Sequence, residues 1–337
     1  MSFKRLDPED FLVSSDSIVN TLWSTNVPTL TTFFTSSLQV GSTSGTYYYS
    51  VYQTGSSLSN AAVQFDIAYA DSLGSGSVLY NSAVPGLSPS RTVYGQYRSM
   101  ILEDENSSFI FGNGTNIYTP NNFWVINFER ARYKQSLFPG SLNLRLSGSG
   151  GIINLTDDSI DNPISQFLGS TRVYQLISGS NGTAGSLTNN GYVAGSGSYG
   201  LVFPDLGTIL LNPFAISQSI RVFPSRSNNS DSLNNAKLYS SIVDGASITI
   251  NSQETLTSDY VFVRARNSEF NYSENPSFIS GSTGEVIYDD FINAPQVYLT
   301  TIGMYNDSNE LVAVAKMSRP LLKDFTKEAL IRVKLDF

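Results

Sequence analysis

Apolar and polar residues alternate with a period of two along much of this chain, and that pattern restricts the fold more than any other feature of the sequence. In Val63-Gln64-Phe65-Asp66-Ile67-Ala68-Tyr69 the alternation sets Val63, Phe65, Ile67 and Tyr69 on one face. Leu142-Asn143-Leu144-Arg145-Leu146 repeats it, with Pro139-Gly140 marking a turn before it. Further strands are expected at 124–128, 173–177, 199–203, 208–211, 260–266, 296–305 and 310–316. Pro204-Asp205-Leu206-Gly207 and Asn306-Asp307-Ser308-Asn309 read as turns between neighbours, and Gly74-Ser75-Gly76 as the turn of a hairpin resuming at Val78-Leu79-Tyr80.

Helical spacing is scarce. Ser90 is placed to cap a helix carrying Tyr94, Tyr97 and Ile101. Asp161-Asn162-Pro163 reads as the start of a helical turn ending near Gly169. The clearest helix covers 233–244, with Leu238, Ile242 and Val243 on a face and Gly245 as its stop. None of these alternates with strands in a βαβ rhythm, so a parallel sheet is not expected. The fold class is therefore mainly β: antiparallel sheets, sandwich- or barrel-like, with a few short helices. Stretches sparse in apolar residues (36–45, 179–197 and 225–235) read as loops, and there is no fixed-period repeat. We expect an N-terminal part over 1–137, a middle lobe, inserted between parts that pair, over 138–256, and a C-terminal part over 257–337 that pairs with the first.

Composition then limits the chemistry. Among 337 residues there is no Cys and no His. Thiolate nucleophiles, disulfides, common zinc sites and imidazole bases are all excluded, which leaves carboxylates, Lys, Tyr or a Ser–Lys pair. Charged residues make up 14%, against roughly a quarter in an average soluble protein, while 40% are hydrophobic, enough for a large core. The net charge of -8 disfavours nucleic acid and anionic lipid as partners. The first ten residues lack the apolar stretch of a signal peptide, and no apolar run of about 18 residues suggests a membrane span. A polar, weakly charged surface without a secretion signal fits a protein made in a bacterial cytoplasm and assembled into a particle released by lysis.

Several clusters are candidate sites. Asp157-Asp158 and Asp289-Asp290 are carboxylate pairs, but neighbours on a strand point to opposite faces, and in loops such residues are more often turn and cap groups. Asp157, Asp158 and Asp161, or Asn306, Asp307 and Asn309, offer oxygens for calcium without matching an EF-hand loop. Tyr47-Tyr48-Tyr49 with Tyr52 reads as a stacking patch or as a strand whose rings alternate between core and surface. Asn113 and Asn181 begin Asn-x-Ser/Thr triplets, read simply as polar loops. Arg264, Arg266, Arg319, Lys323, Lys327, Arg332 and Lys334 make the C-terminal third basic, either as a receiving surface for an acidic neighbour or as solvated strand faces. In the last seven residues, Ile331, Val333, Leu335 and Phe337 share one face, as in a strand inside a sheet or made to join one.

Taken together, these segments resemble the virion structural proteins of large contractile-tailed phages, particularly those of cyanobacteria. The resemblance rests on Lys4-Arg5-Leu6-Asp7-Pro8-Glu9-Asp10-Phe11, Tyr47-Tyr48-Tyr49-Ser50-Val51-Tyr52-Gln53 and Tyr199-Gly200-Leu201-Val202-Phe203-Pro204-Asp205-Leu206-Gly207, and most on the stretch from Arg264-Ala265-Arg266 to Lys334-Leu335-Asp336-Phe337. It implies a non-enzymatic particle component with no catalytic, cofactor or metal residues, held among other virion proteins, in multiple copies or as a homo-oligomer. The tail side (baseplate or neck) is the expected position. A capsid-surface or fibre-attachment module that binds receptor glycans is the alternative. Ile331, Val333, Leu335 and Phe337 are the expected assembly strand.

Overall fold

The computed structural model describes residues 5–22, 34–36, 48–52, 62–74, 90–163, 166–185, 194–225, 233–273 and 275–336. The fold is mainly β, and every strand pairing with a defined register is antiparallel. In chain order the early strands are β1 (Phe11–Thr21), β2 (Phe34–Ser36), β3 (Tyr48–Tyr52), β4 (Val63–Asp71), β5 (Phe111–Asn113), β6 (Asn116–Tyr118) and β7 (Asn122–Phe128). Then follow β8 (Ser136–Leu137), β9 (Asn143–Gly148), β10 (Gly151–Asp157), β11 (Gln166–Leu168), β12 (Thr171–Ser180), β13 (Thr183–Ala184), β14 (Gly200–Phe203) and β15 (Thr208–Leu211). The last are β16 (Ser247–Thr249), β17 (Asn251–Ala265), β18 (Val297–Tyr305), β19 (Leu311–Lys323) and β20 (Ala329–Asp336). Four α-helices accompany them among the described residues: α1 (Ser90–Leu102), α2 (Pro213–Ile220), α3 (Leu233–Gly245) and α4 (Asp289–Asn293).

Contacts divide the chain into two units. The first joins residues 1–17 to 255–337, and the second is residues 18–254. This differs from a break near 137. Strands from both sides of that position share one sheet, in the order β16-β9-β10-β12-β14-β15-β7-β4-β3-β2. The expected middle lobe is therefore part of the larger unit.

The alternation explains that sheet where one face meets each core. Between β4 and β7, Phe65 lies opposite Phe128, Ile67 opposite Ile126 and Tyr69 opposite Trp124. All six belong to a core completed by Ala215, Ile216 and Ile220 of α2 and Leu238 and Ile242 of α3. The intervening residues Ala68, Ala70, Phe123 and Val125 face a second cluster built with Tyr94 and Ile101 of α1, Phe109 and Phe111. Strands between two cores lose the alternation, and all of β14 and β15 is buried.

Local chemistry accounts for the helix ends. Asn212 caps α2, its Oδ1 accepting from the Phe214 amide at 3.0 Å, with Pro213 in the first turn. This helix does not stand out in the sequence because Ser217 and Ser219 are buried along with its apolar residues, so no one-sided apolar stripe marks it. The expected α3 is present, but Gly245 is not its left-handed stop. Ala246 takes that conformation, at φ 55°. Gly245 instead allows close approach to β9, since a Cβ there would stand 2.0 Å from the Arg145 carbonyl oxygen. The helical turn expected before Gly169 is also corrected. Residues 166–168 form β11, paired with Thr171–Val173 of β12 around Gly169 at φ +61°. The expected hairpin partner at 78–80 lies outside the described residues.

Candidate functional site

Unit 1 is where the sequence placed its assembly strand. β20 runs antiparallel to β17, from Ser258 opposite Asp336 to Ala265 opposite Ala329, in the sheet order β1-β17-β20. Val261, Ala265, Ala329 and Val333 are buried on one face, with Val263, Ile331 and Leu335 half-buried beside them. Phe337 lies outside the described residues. The opposite face is cationic and aromatic: the Arg332 guanidinium stands 5.3 Å from the centre of the Tyr260 ring.

The exposed ions on this face are locally paired. The Lys334 ammonium is 2.8 Å from Asp336 Oδ1, which also accepts from the Ser258 hydroxyl at 2.6 Å. Lys334 holds the Asp336 carboxyl below its ordinary range, with the Ser258 hydroxyl adding to the effect. Arg264 pairs with Glu328 at 2.9 Å. Water screens such pairs, so their contribution to stability is small.

Beyond this sheet, β18 and β19 form a hairpin around Asn306–Asn309, with Asn309 at φ 60°. The Glu310 amide donates to Asn306 Oδ1 at 2.8 Å, so the second oxygen cluster weighed for calcium is a hairpin turn. At the base of the hairpin sits Lys323, expected as part of a basic surface but in fact fully buried. Its ammonium donates to Asn271 Oδ1 at 2.9 Å and to the carbonyls of Asn267 and Asp324, both at 3.0 Å. Three acceptors match its three protons, which is how an unpaired cation is tolerated inside.

The apolar surface of the unit is mostly uncovered. Phe11, Leu12, Val13, Tyr272, Ile287, Tyr288, Ile292, Tyr298, Leu311, Val312, Val314, Phe325 and Leu330 are all exposed. Unit 2 reverses this balance, with two aromatic-rich cores and scattered exposed apolar residues. Periodicity alone hid the difference, because the same alternation describes a strand lying on a core and a strand awaiting one.

Elsewhere the candidate residues are used structurally. Asp157 Oδ1 accepts from the amides of Gly140 at 2.8 Å and Ser159 at 3.2 Å. Asp158 accepts from the Gln175 amide and from Asn162 Nδ2, both at 2.8 Å, while burial pushes its carboxyl up. Asp161 accepts from the Ala184 amide at 2.9 Å. No group of three or more metal-ligating side chains occurs among the described residues. Tyr49 stacks on Tyr239 with ring centres 6.3 Å apart, Tyr48 is exposed and Tyr52 half-buried, and Tyr47 lies outside the described residues. Asn113 ends β5, and Asn181 takes φ 50° between β12 and β13.

A cleft of about 540 Å³ in unit 2 is lined by Ser149, Gly150, Ser217, Gln218, Ser219, Arg221 and Phe223. The Ser217 hydroxyl is bonded to the Phe214 carbonyl, and that of Ser219 to the Ala215 carbonyl and Tyr199. The lining has no carboxylate, so it offers hydrogen bonds and an aromatic face rather than acid–base chemistry. No helix among the described residues is long and apolar enough to cross a membrane. No family model matches the chain, and neither a curated protein nor a solved structure is similar to it.

Proposed function

We propose that this chain is a non-enzymatic structural subunit of a tailed-phage virion, placed at the tail, baseplate or neck and acting by multivalent protein–protein assembly. One observation carries the reading: a stably cored unit is joined in one chain to a second unit whose long strands leave their large apolar side chains exposed. Large apolar side chains left exposed in such number on one unit are the raw material of an interaction surface. The resemblance of the C-terminal third to virion proteins supplies the kind of particle. The chain is then made in the host bacterial cytoplasm and ends in the virion among other virion proteins, with no cofactor, nucleic acid or membrane in its role.

The test is to locate the chain in an electron-microscopy map of the intact particle. Density for residues 255–337 against neighbouring protein is the expected result. Absence of the chain from highly purified infectious particles would remove the proposal. The alternative, a capsid-surface or fibre-attachment module that holds glycans, draws on the polar cleft beside exposed Phe223, an aromatic face of the kind on which sugars stack. Binding to a glycan array that is lost in Phe223→Ala would favour it, and a uniformly negative array would dismiss it.

A further inference from the structure

We infer that the β18–β19 hairpin is an arm that docks on a second copy of this chain, its basic apolar face seated on the neighbour's acidic aromatic patch around α4. The inference rests on the structural-subunit reading and names the partner surfaces within it.

The arm needs a cover. A two-stranded hairpin alone is at best marginally stable in water, yet the main contacts of β18 and β19 are with each other. One face pairs Thr301 with Lys316, Gly303 with Val314 and Tyr305 with Leu311. Tyr305 and Leu311 lie over Gly303, and Val314 is 58% exposed. Lys316 and Arg319 stand exposed on β19 and in no ion pair, and the two strands contain no carboxylate. The arm's acids, Asp307 and Glu310, are at its tip, where Glu310 accepts from Asn306 Nδ2 at 2.8 Å.

The complementary surface lies on the same unit. Phe278 braces Tyr288 and Phe291, with ring centres 6.1 and 5.5 Å apart, and Tyr288 (55%) and Ile292 (63%) remain exposed. Around them are Glu285, Asp289 and Asp290, and the last two are in no ion pair. The sequence contains no Lys or Arg between Arg266 and Lys316, so no cation of that stretch offsets Glu285, Asp289 and Asp290, while every charged residue of the two arm strands is basic. Arm against arm or patch against patch would oppose like charges, whereas arm against patch pairs them. Such a contact uses two different surfaces and is heterologous, so it builds head-to-tail rings or filaments.

Sedimentation velocity of the full-length chain tests this. The wild type should form concentration-dependent oligomers that weaken as salt rises to about 1 M, where screening acts within about 3 Å. Lys316→Glu with Arg319→Glu, and separately Asp289→Lys with Asp290→Lys, should each weaken association at least about tenfold without altering far-ultraviolet circular dichroism. The neutral pair Lys316→Gln with Arg319→Gln should lose the salt dependence. An equal mixture of the two reversed chains should recover oligomers, since each then meets a complementary arm and patch. Reversed chains that associate as the wild type does, or a mixture that stays monomeric, would overturn the arm while leaving the structural-subunit reading intact. A wild type that remains monomeric at every attainable concentration would also overturn it. Absence from the purified particle tests the broader reading independently.

Discussion

Two single residues sit at the centre of buried hydrogen-bond clusters. Asn212 is fully buried, with Oδ1 capping α2 and Nδ2 donating to the carbonyls of Ser196 and Ser198, both at 2.8 Å. Asn212→Ala removes the cap and strands two buried carbonyls, each worth about 1–3 kcal/mol when unpaired. The expected loss is at least about 2 kcal/mol, read as a lower denaturation midpoint with an unchanged slope. Lys323→Met keeps the volume but leaves Asn271 Oδ1 without its donor, while the Asn267 carbonyl keeps the Asn271 side-chain amide and the Asp324 carbonyl keeps the Lys327 amide, and the relief of a buried charge is a partial offset. We expect a net destabilisation of about 1 kcal/mol. A variant as stable as the wild type would show that the ammonium contributes nothing beyond filling space. Both roles were hidden in the sequence. Asn212-Pro213 is a cap signature only once α2 is known to follow, and Lys323 reads as one more surface cation until its three carbonyl partners are assembled from residues up to 56 positions away.

At the scale of elements, legibility followed how many sides of a segment are covered. β4 sets Phe65, Ile67 and Tyr69 toward one core with the polar or small Gln64, Asp66 and Ala68 between them, so its period of two was plain, and β20 showed the same period because a single face is covered. α3 was readable from the spacing of Leu238 and Ile242, both buried as the pattern required. β15 was read where it lies, at 208–211, whereas α2 beyond Asn212-Pro213 was not, because it is buried on nearly every side with serines among its apolar residues. The short β11 was misread because its turn glycine also suits a helix end. β20 carries the element-scale prediction. It is bonded to β17 over eight registered residue pairs. Removing residues 331–337 exposes Val261 and Val263 and leaves the amides of β17 without their partners on that side. Hydrogen exchange should then show lost protection in 258–265 and retained protection in 122–128 and 200–211, and the shortened chain should fail to enter particles. Normal incorporation of that chain would refute the assembly role of the strand.

For the molecule as a whole, the contrast between the two units predicts two unfolding transitions. Unit 1 buries few apolar side chains and should melt first, while unit 2 should persist on its two cores. Both tryptophans, Trp23 and Trp124, fall within 18–254, so indole fluorescence follows unit 2 alone while calorimetry registers both. Acid should separate the transitions further. In unit 2, burial pushes the carboxyls of Asp66 and Asp158 above their ordinary 3.8. A raised carboxyl contributes stability in full below 3.8 and loses it as pH rises through the folded value, so acidification from neutrality strengthens this unit. In unit 1, Asp324 and Asp336 are lowered, chiefly by hydrogen bonds from Thr326 and Lys334 respectively, as Asp104 of unit 2 is by Ser107. Their contributions are present above 3.8 and disappear only as pH falls through the depressed values, so they do not change between neutrality and pH of about 4. The fluorescence midpoint should therefore rise over that interval while the first calorimetric transition stays nearly fixed. Asp158→Asn should remove part of the rise, at the cost of setting two amide donors, its own and that of Asn162, against each other. Were the fluorescence midpoint to fall on mild acidification, or the two transitions to merge, the carboxylates would not be limited by burial and the units would not be energetically distinct.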